Sequence, residues 1–114
     1  MDRNELAGLV LGVISERCKE VVSRPRPPDW RVFEVQRHEA DQTLGPEYSP
    51  RWFGGVTQTE AGSRRVLRTI YRLSDAGLLT IVKSEGGRLE RVRMTRKGSK
   101  AVKSIRNAET SIKT

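Results

Sequence analysis

Residues 63–79 of this 114-residue chain, SRRVLRTIYRLSDAGLL, decide the fold. Apolar residues recur there every three or four positions and form two adjacent helical stripes. These residues are Val66, Leu67, Ile70, Tyr71 and Leu73. Thr59 or Ser63 can cap the start of the helix, and Gly77 can end it in the left-handed conformation. The pattern predicts an amphipathic helix over 59–76 whose other face carries arginines.

The residues that follow predict a β-hairpin over 78–94. Residues 78–82, LLTIV, form an apolar run rich in β-branched side chains, and residues 89–94, LERVRM, alternate apolar and basic residues near their end. The segment between them, KSEGGR, contains a glycine pair that permits the positive φ angles of a tight turn. Several basic residues therefore lie on or near one hairpin.

The two ends of the chain predict further helices. Apolar residues recur at helical spacing over 4–22 and again over 98–112. Residues 23–57 read as a connector that starts with three prolines, and within it residues 30–35, WRVFEV, fit either a short strand or a helix. A Ser-Pro step followed by aromatic residues favours a short helix around 50–53. The expected class is α+β, mostly α, in a single domain over 1–114.

Charge is unevenly distributed along the chain. The net charge is +8, from 22 Lys and Arg against 14 Asp and Glu, and residues 1–57 carry −1 whereas residues 58–114 carry +9. A positive field confined to half of a small domain favours a polyanionic partner. No apolar stretch approaches the roughly 18 residues that a membrane span needs, and the N-terminal segment lacks the features of a secretory signal. We therefore expect a cytoplasmic, nucleoid-associated protein with no membrane partner.

Over residues 58–100 the sequence resembles the winged helix-turn-helix transcription regulators, including MarR-like and PadR-like proteins. The resemblance rests on RTIYRLSDAGLL at 68–79, the basic hairpin segment 83–93, and MTRKG at 94–98. These are similar to the family's recognition helix, its wing, and the L-T-x-x-G start of its last helix, with Met94 in place of Leu. The resemblance implies a winged helix-turn-helix with a two-stranded wing and flanking terminal helices. It also implies a DNA-binding regulator that acts as a homodimer, joined through those terminal helices.

The expected function is sequence-specific binding of double-stranded DNA in transcription regulation. The 59–76 helix would enter the major groove, and the 83–93 wing would contact the backbone or the minor groove. The expected DNA-binding residues are Ser63, Arg64, Arg65, Arg68, Arg72, Lys83, Arg88, Arg91 and Arg93. The alternative is a winged-helix subunit of a replication, partition or other nucleoprotein complex that acts mainly through protein contacts. RNA binding is disfavoured because the hairpin carries no aromatic residue on which bases could stack.

Other signals predict structure rather than chemistry. The sequence contains no phosphate-binding loop, nucleophile elbow or dinucleotide fingerprint, so we expect neither enzyme activity nor a cofactor. The single Cys18 excludes an internal disulfide and is expected to pack as a small apolar residue. His38, Glu39 and Asp41 have a spacing that arises often by chance, so no metal site is expected. The aromatic residues are expected to belong to the core, namely Trp30, Tyr48, Trp52 and Phe53.

Overall fold

The structure is a computed structural model that describes residues 2–25 and 31–113, with side chains through residue 105. Within these residues the chain is mostly helical and has one two-stranded antiparallel sheet, so it belongs to the expected α+β class. The elements in chain order are α1 (Arg3–Ser23), α2 (Val32–Leu44), a 3₁₀ helix (Pro50–Thr57), α3 (Glu60–Asp75), β1 (Leu79–Lys83), β2 (Leu89–Met94) and α4 (Arg96–Lys113). The helices predicted over 4–22, 59–76 and 98–112 correspond to α1, α3 and α4.

The hydrophobic core forms around α1, which packs against α3, α4 and β2. Asp2 caps this helix, since its carboxylate accepts a hydrogen bond of 2.8 Å from the backbone N–H of Glu5. The apolar residues of α1 bury one face of the helix against the stripe of α3 and the inner face of the hairpin. Five side chains are almost completely buried at the centre of this core, namely Val10, Ile14, Val66, Ile70 and Val92. Their burial supplies the hydrophobic free energy that holds α3 and the hairpin together.

The predicted hairpin is present, with a bulge between Val82 and Lys83. Leu79 pairs with Met94 and Ile81 with Val92, while Gly87 in the connecting turn has φ 81°. A short segment lies along the free edge of β2. There Glu47 pairs with Arg91 in an isolated antiparallel bridge, and the adjacent backbone groups of residues 46 and 48 bond to β2 at 3.3 and 2.9 Å. Residues 46–48 therefore protect the outer edge of the hairpin.

The segment whose sequence pattern left strand and helix open is a helix, α2. It contributes no buried residue to the protein. Its side chains Val32 and Phe33 are 74% and 61% exposed, which explains why no clear apolar stripe could be read from the sequence. Trp30 lies outside the described residues. The short helix expected around 50–53 is a longer 3₁₀ helix that bends at Gly54.

A cluster of hydrogen bonds joins the C-terminal end of α3, the end of the hairpin and the first turn of α4. Gly77 has φ 80°, as expected for the residue that ends the helix. The side chains of Thr95 and Lys97 donate to the carbonyls of Gly77 and Ala76 at 2.6 and 2.9 Å. Thr95 also accepts from the N–H of Gly98, at a point where α4 passes so close to the carbonyl of Leu78 that a Cβ on Gly98 would overlap it. This contact is the physical reason for the T-x-x-G spacing at 95–98.

Candidate nucleic-acid interface

The N-terminal end of α3 is held tightly against the 3₁₀ helix. Thr59 caps α3 by accepting a hydrogen bond of 3.0 Å from the N–H of Gly62. The two helices approach so closely that a Cβ on Gly62 would overlap the carbonyl oxygen of Val56. The hydroxyl of Ser63 donates to the carbonyl of Thr57 at 3.1 Å. Ser63, which was expected to contact DNA, therefore fastens the turn between the two helices.

The arginines of α3 lie on the surface, opposite the buried stripe. Arg64, Arg65, Arg68 and Arg72 are all exposed. Arg64 forms an ion pair with Glu60 one turn earlier, and both side chains are mostly exposed. Such a surface pair contributes little to stability and is readily exchanged for another anion. Arg68 and Arg72 form no ion pair within the described residues, so these two exposed guanidinium groups and that of Arg64 can meet an anionic partner.

The turn end of β1 and α3 share one surface. The ammonium group of Lys83 lies 4.8 Å from the centre of the Tyr71 ring, a cation–π contact that fixes the end of β1 beside the exposed face of α3. Arg88 is exposed at the other end of the hairpin turn, where its N–H donates to the hydroxyl of Ser84 at 3.2 Å. Lys83 therefore lies beside the exposed face of α3, and Arg88 is exposed to solvent at the other end of the same turn.

Arg91 is not part of this surface, contrary to expectation. Its side chain is only 11% exposed, and its guanidinium donates to the carboxylate of Asp41 at 2.6 Å and to the carbonyl of Gly45 at 2.8 Å. The carboxylate of Glu47 lies 3.4 Å away. The alternation of apolar and basic residues in β2 predicts that Arg91 faces solvent. In the structure α2 covers this face of the hairpin. Because its donors are engaged by these internal acceptors, the structure argues against the expected phosphate contact for Arg91.

Arg93 points toward the same helix but stays exposed. Its guanidinium donates to the carbonyl of Thr43 at 2.8 Å, in the last turn of α2. A cation at the C-terminal end of a helix satisfies a free carbonyl and interacts favourably with the helix dipole. This contact assigns Arg93 a capping role on α2, which has no basic residue in its own last turn.

Comparison of the chain with protein-family models, curated proteins and solved structures gave no match. The resemblance to winged helix-turn-helix regulators therefore rests on the sequence motifs. Along the chain, the 46–48 segment and the 3₁₀ helix precede α3, the hairpin follows α3, and α4 comes last.

The described aromatic residues of the connector and Cys18 pack in or against the core. Tyr48, Trp52 and Phe53 form an aromatic cluster with ring centres 5.7 to 6.4 Å apart, and Phe53 is buried. Cys18 packs against the core, and burial raises the pKa of its thiol, which lowers the thiolate fraction at neutral pH. Within the described residues, no group of three His, Cys, Asp or Glu side chains could hold a metal ion. In the same part of the chain, no helix is long and apolar enough to cross a membrane.

Sequence reasoning missed two residues of the candidate interface. Tyr71 was assigned only to the apolar stripe, whereas its ring receives Lys83. Arg3 lies in the first turn of α1 and shares a cleft with three arginines of α3. An aromatic residue at the edge of a helical stripe, six residues before the glycine that ends the helix, is not by itself a sign of a binding surface. The position of Arg3 depends on packing between segments that are 60 residues apart, which spacing does not show.

Proposed function

We propose that this protein binds double-stranded DNA as a winged helix-turn-helix domain and acts in transcription regulation. In this arrangement α3 enters the major groove and the hairpin lies on the backbone or in the minor groove. The observation that carries the proposal is the contact between Lys83 and Tyr71. This contact brings the turn end of β1 beside the exposed face of α3, which supports an arrangement in which a single duplex meets both elements.

The chemistry of this surface suits DNA. An α-helix fits the width of the major groove, and a guanidinium group can donate two hydrogen bonds to the O6 and N7 of guanine. Arg64 and Arg65 lie in the first half of α3, the part of a recognition helix that usually meets base edges. Lys83 and Arg88 are placed to neutralise phosphates, which supply affinity without sequence preference. Arg91 and Ser63 are not included in the proposed interface, because their side chains donate hydrogen bonds to acceptors within the protein.

The test is selection of bound sequences from a pool of random duplexes, with fluorescence anisotropy at several salt concentrations. We expect a steep salt dependence and enrichment of one motif. Replacing Arg64 by Ala should relax the motif and cost about 1–3 kcal/mol of binding free energy, as for a base contact. Replacing Arg88 by Ala should weaken all sequences alike and reduce the salt slope by about one. Arg24→Ala, at the far end of α1, is the charge-matched control. Unchanged binding in the first two variants would refute this interface.

A second candidate function is favoured by α2. This helix leaves Val32 and Phe33 exposed and buries none of its own residues, and exposed apolar side chains of this kind are typical of protein interfaces. The domain would then belong to a larger nucleoprotein complex and act mainly through protein contacts. A salt-dependent affinity without an enriched motif in the selection experiment would favour this function over site-specific regulation.

We also propose the homodimer through the terminal helices that the resemblance implies. Much of the apolar stripe of α1 is used in the core, but Leu9 and Val13 stay partly exposed beside a shallow groove that Trp52 also lines. On α4, Ile105 is 41% exposed. Sedimentation equilibrium tests the proposal, since a monomeric mass at the concentrations used for DNA binding would remove it.

A further inference from the structure

A cleft of about 200 Å³ lies between the N-terminal turn of α1 and the exposed edge of α3. It is lined by Arg3, Leu6, Arg65, Arg68, Thr69 and Arg72. Four of these six side chains carry a positive charge, and none carries a negative one. Arg3 has no role in the α3 and hairpin contacts proposed above. Neither the fold nor the hairpin requires four arginines at this place.

The packing of α1 on α3 builds the cleft. Arg65, Arg68 and Arg72 are three and four positions apart, so they project from one side of α3. Leu6 is buried and anchors the first turns of α1 beside them, which places Arg3 across from them. Thr69 forms part of the floor, and its hydroxyl already donates to the carbonyl of Arg65 at 2.8 Å. The cleft thus has an apolar floor and walls of guanidinium groups.

Three of the four positive charges of this cleft have no ion-pair partner within the described residues. Arg3, Arg68 and Arg72 form no ion pair with any residue in the described part of the chain. Like charges held together around an apolar floor repel one another, and an anion between them relieves that repulsion. Guanidinium groups present planar sets of donors that match the oxygens of a phosphate. The volume is sufficient for one phosphate group.

We infer that this cleft is a phosphate-binding subsite that receives a backbone phosphate of the bound DNA, with Arg3 as the ligand that α1 supplies. The inference rests on the proposed function, because it places the phosphate on the strand that flanks α3 in the major groove. It adds a third element, α1, to the α3 and hairpin contacts. A phosphate held here would fix the position of α3 along the groove, as backbone contacts generally do.

The first arm of the test uses inorganic pyrophosphate without DNA, at constant ionic strength. Titration is followed through the arginine Nε–Hε signals in NMR spectra of the whole chain. We expect saturable shifts of the Arg3, Arg68 and Arg72 signals, and weaker binding in Arg3→Ala by about fivefold or more. Equal titration curves for the wild type and Arg3→Ala would overturn the inference. Arg24→Ala should titrate as the wild type does.

The second arm measures the salt dependence of duplex DNA binding in the same variants. α1 spans 21 residues, about 30 Å, so Arg3 and Arg24 lie at opposite ends of it, further apart than the Debye length of about 10 Å at 0.1 M salt. Loss of one phosphate contact should reduce the slope of log K against log salt by about 0.9 in Arg3→Ala and leave it unchanged in Arg24→Ala. Circular dichroism verifies that both variants keep the helical content of the wild type.

The two arms separate failure of this inference from failure of the proposed function. If DNA binds and Arg3→Ala keeps the slope of Arg24→Ala, the subsite is refuted while the α3 and hairpin interface stands. If pyrophosphate saturates the cleft but no duplex binds at low salt, the proposed function fails and the cleft does not serve DNA. Saturable pyrophosphate binding together with the reduced slope would establish the subsite.

Discussion

Removing the guanidinium of Arg91 should destabilise the protein strongly, although its alternation with apolar residues in β2 is typical of an exposed strand residue. Arg91→Met keeps most of the apolar stem and deletes the charge. The change leaves the carboxylate of Asp41, whose side chain is 14% exposed, without its partner at 2.6 Å, and it leaves the buried carbonyl of Gly45 without a donor. Removing one member of a buried pair typically costs 3–5 kcal/mol, and the residual exposure here places the loss near the lower limit, about 3 kcal/mol.

Two further variants separate the ion pair from general damage to the strand. Glu47→Gln should cost less than about 1 kcal/mol, because the Glu47 side chain is 55% exposed and lies 3.4 Å from the guanidinium. The double variant Arg91→Met with Asp41→Leu should regain most of the loss, since two apolar side chains can replace a buried pair without leaving a charge behind. Arg88→Ala, on the exposed end of the same hairpin, should be close to neutral.

Urea denaturation followed by far-ultraviolet circular dichroism measures these differences. A loss of about 3 kcal/mol corresponds to a fall in Tm of about 12 °C for a domain of this size. If the proposed interface binds DNA, the folded Arg91→Met protein should keep the salt slope of the wild type, because the donors of Arg91 are engaged by Asp41, Gly45 and Glu47. A loss below about 1 kcal/mol, equal to that of Glu47→Gln, would refute the argument. So would a reduced salt slope in the folded variant.

Other substitutions and conditions test separate contacts. Gly98→Ala would normally favour a helix, yet we expect a loss of about 2 kcal/mol or more, because the added Cβ overlaps the carbonyl of Leu78. Gly86→Ala, where a Cβ meets nothing within 4 Å, should have little effect, and equal stabilities of the two variants would contradict the close packing of α4. Burial raises the pKa of the Cys18 thiol and of the Tyr48 hydroxyl above their ordinary values of 9.0 and 10.0. The folded state therefore holds these protons more tightly than the unfolded chain, so this stabilisation is complete below about pH 9 and is lost as the pH rises through the raised values. The free energy of unfolding should fall above pH 9 and fall less steeply in Cys18→Ala, whereas a pH-independent stability would contradict the assignment.

The parts of the fold that depend on nearby residues could be predicted from the sequence. The stripe of α3, the glycine that ends it and the glycine-containing turn of the hairpin all act within a few residues of one another. The arginine face of α3 followed from the same periodicity, since a residue opposite a buried stripe is exposed. These local features were sufficient to predict the α+β class of the fold and the exposure of the arginines on α3.

The remaining features depend on contacts between distant segments. In the sequence, Arg91 alternates with apolar residues, as an exposed strand residue does. Its contacts with Asp41 and Glu47, which lie 50 and 44 positions earlier, show that its side chain faces inward. α2 was ambiguous because it buries none of its side chains. Arg3 belongs to the cleft only because Leu6 anchors α1 against α3. In each case a tertiary contact determines the role of the residue, and spacing along the chain does not encode it.

The hydrogen bonds between α3 and α4 have a consequence for how the molecule opens. The carbonyls of residues 76 to 78 are satisfied by Thr95 and Lys97, at the junction of β2 and α4. The C-terminal turn of α3 cannot fray by itself without breaking these bonds, and the first turn of α4 cannot lift away without exposing the same carbonyls. We therefore expect the two turns to exchange their amide hydrogens with solvent as one cooperative unit, with a common opening free energy.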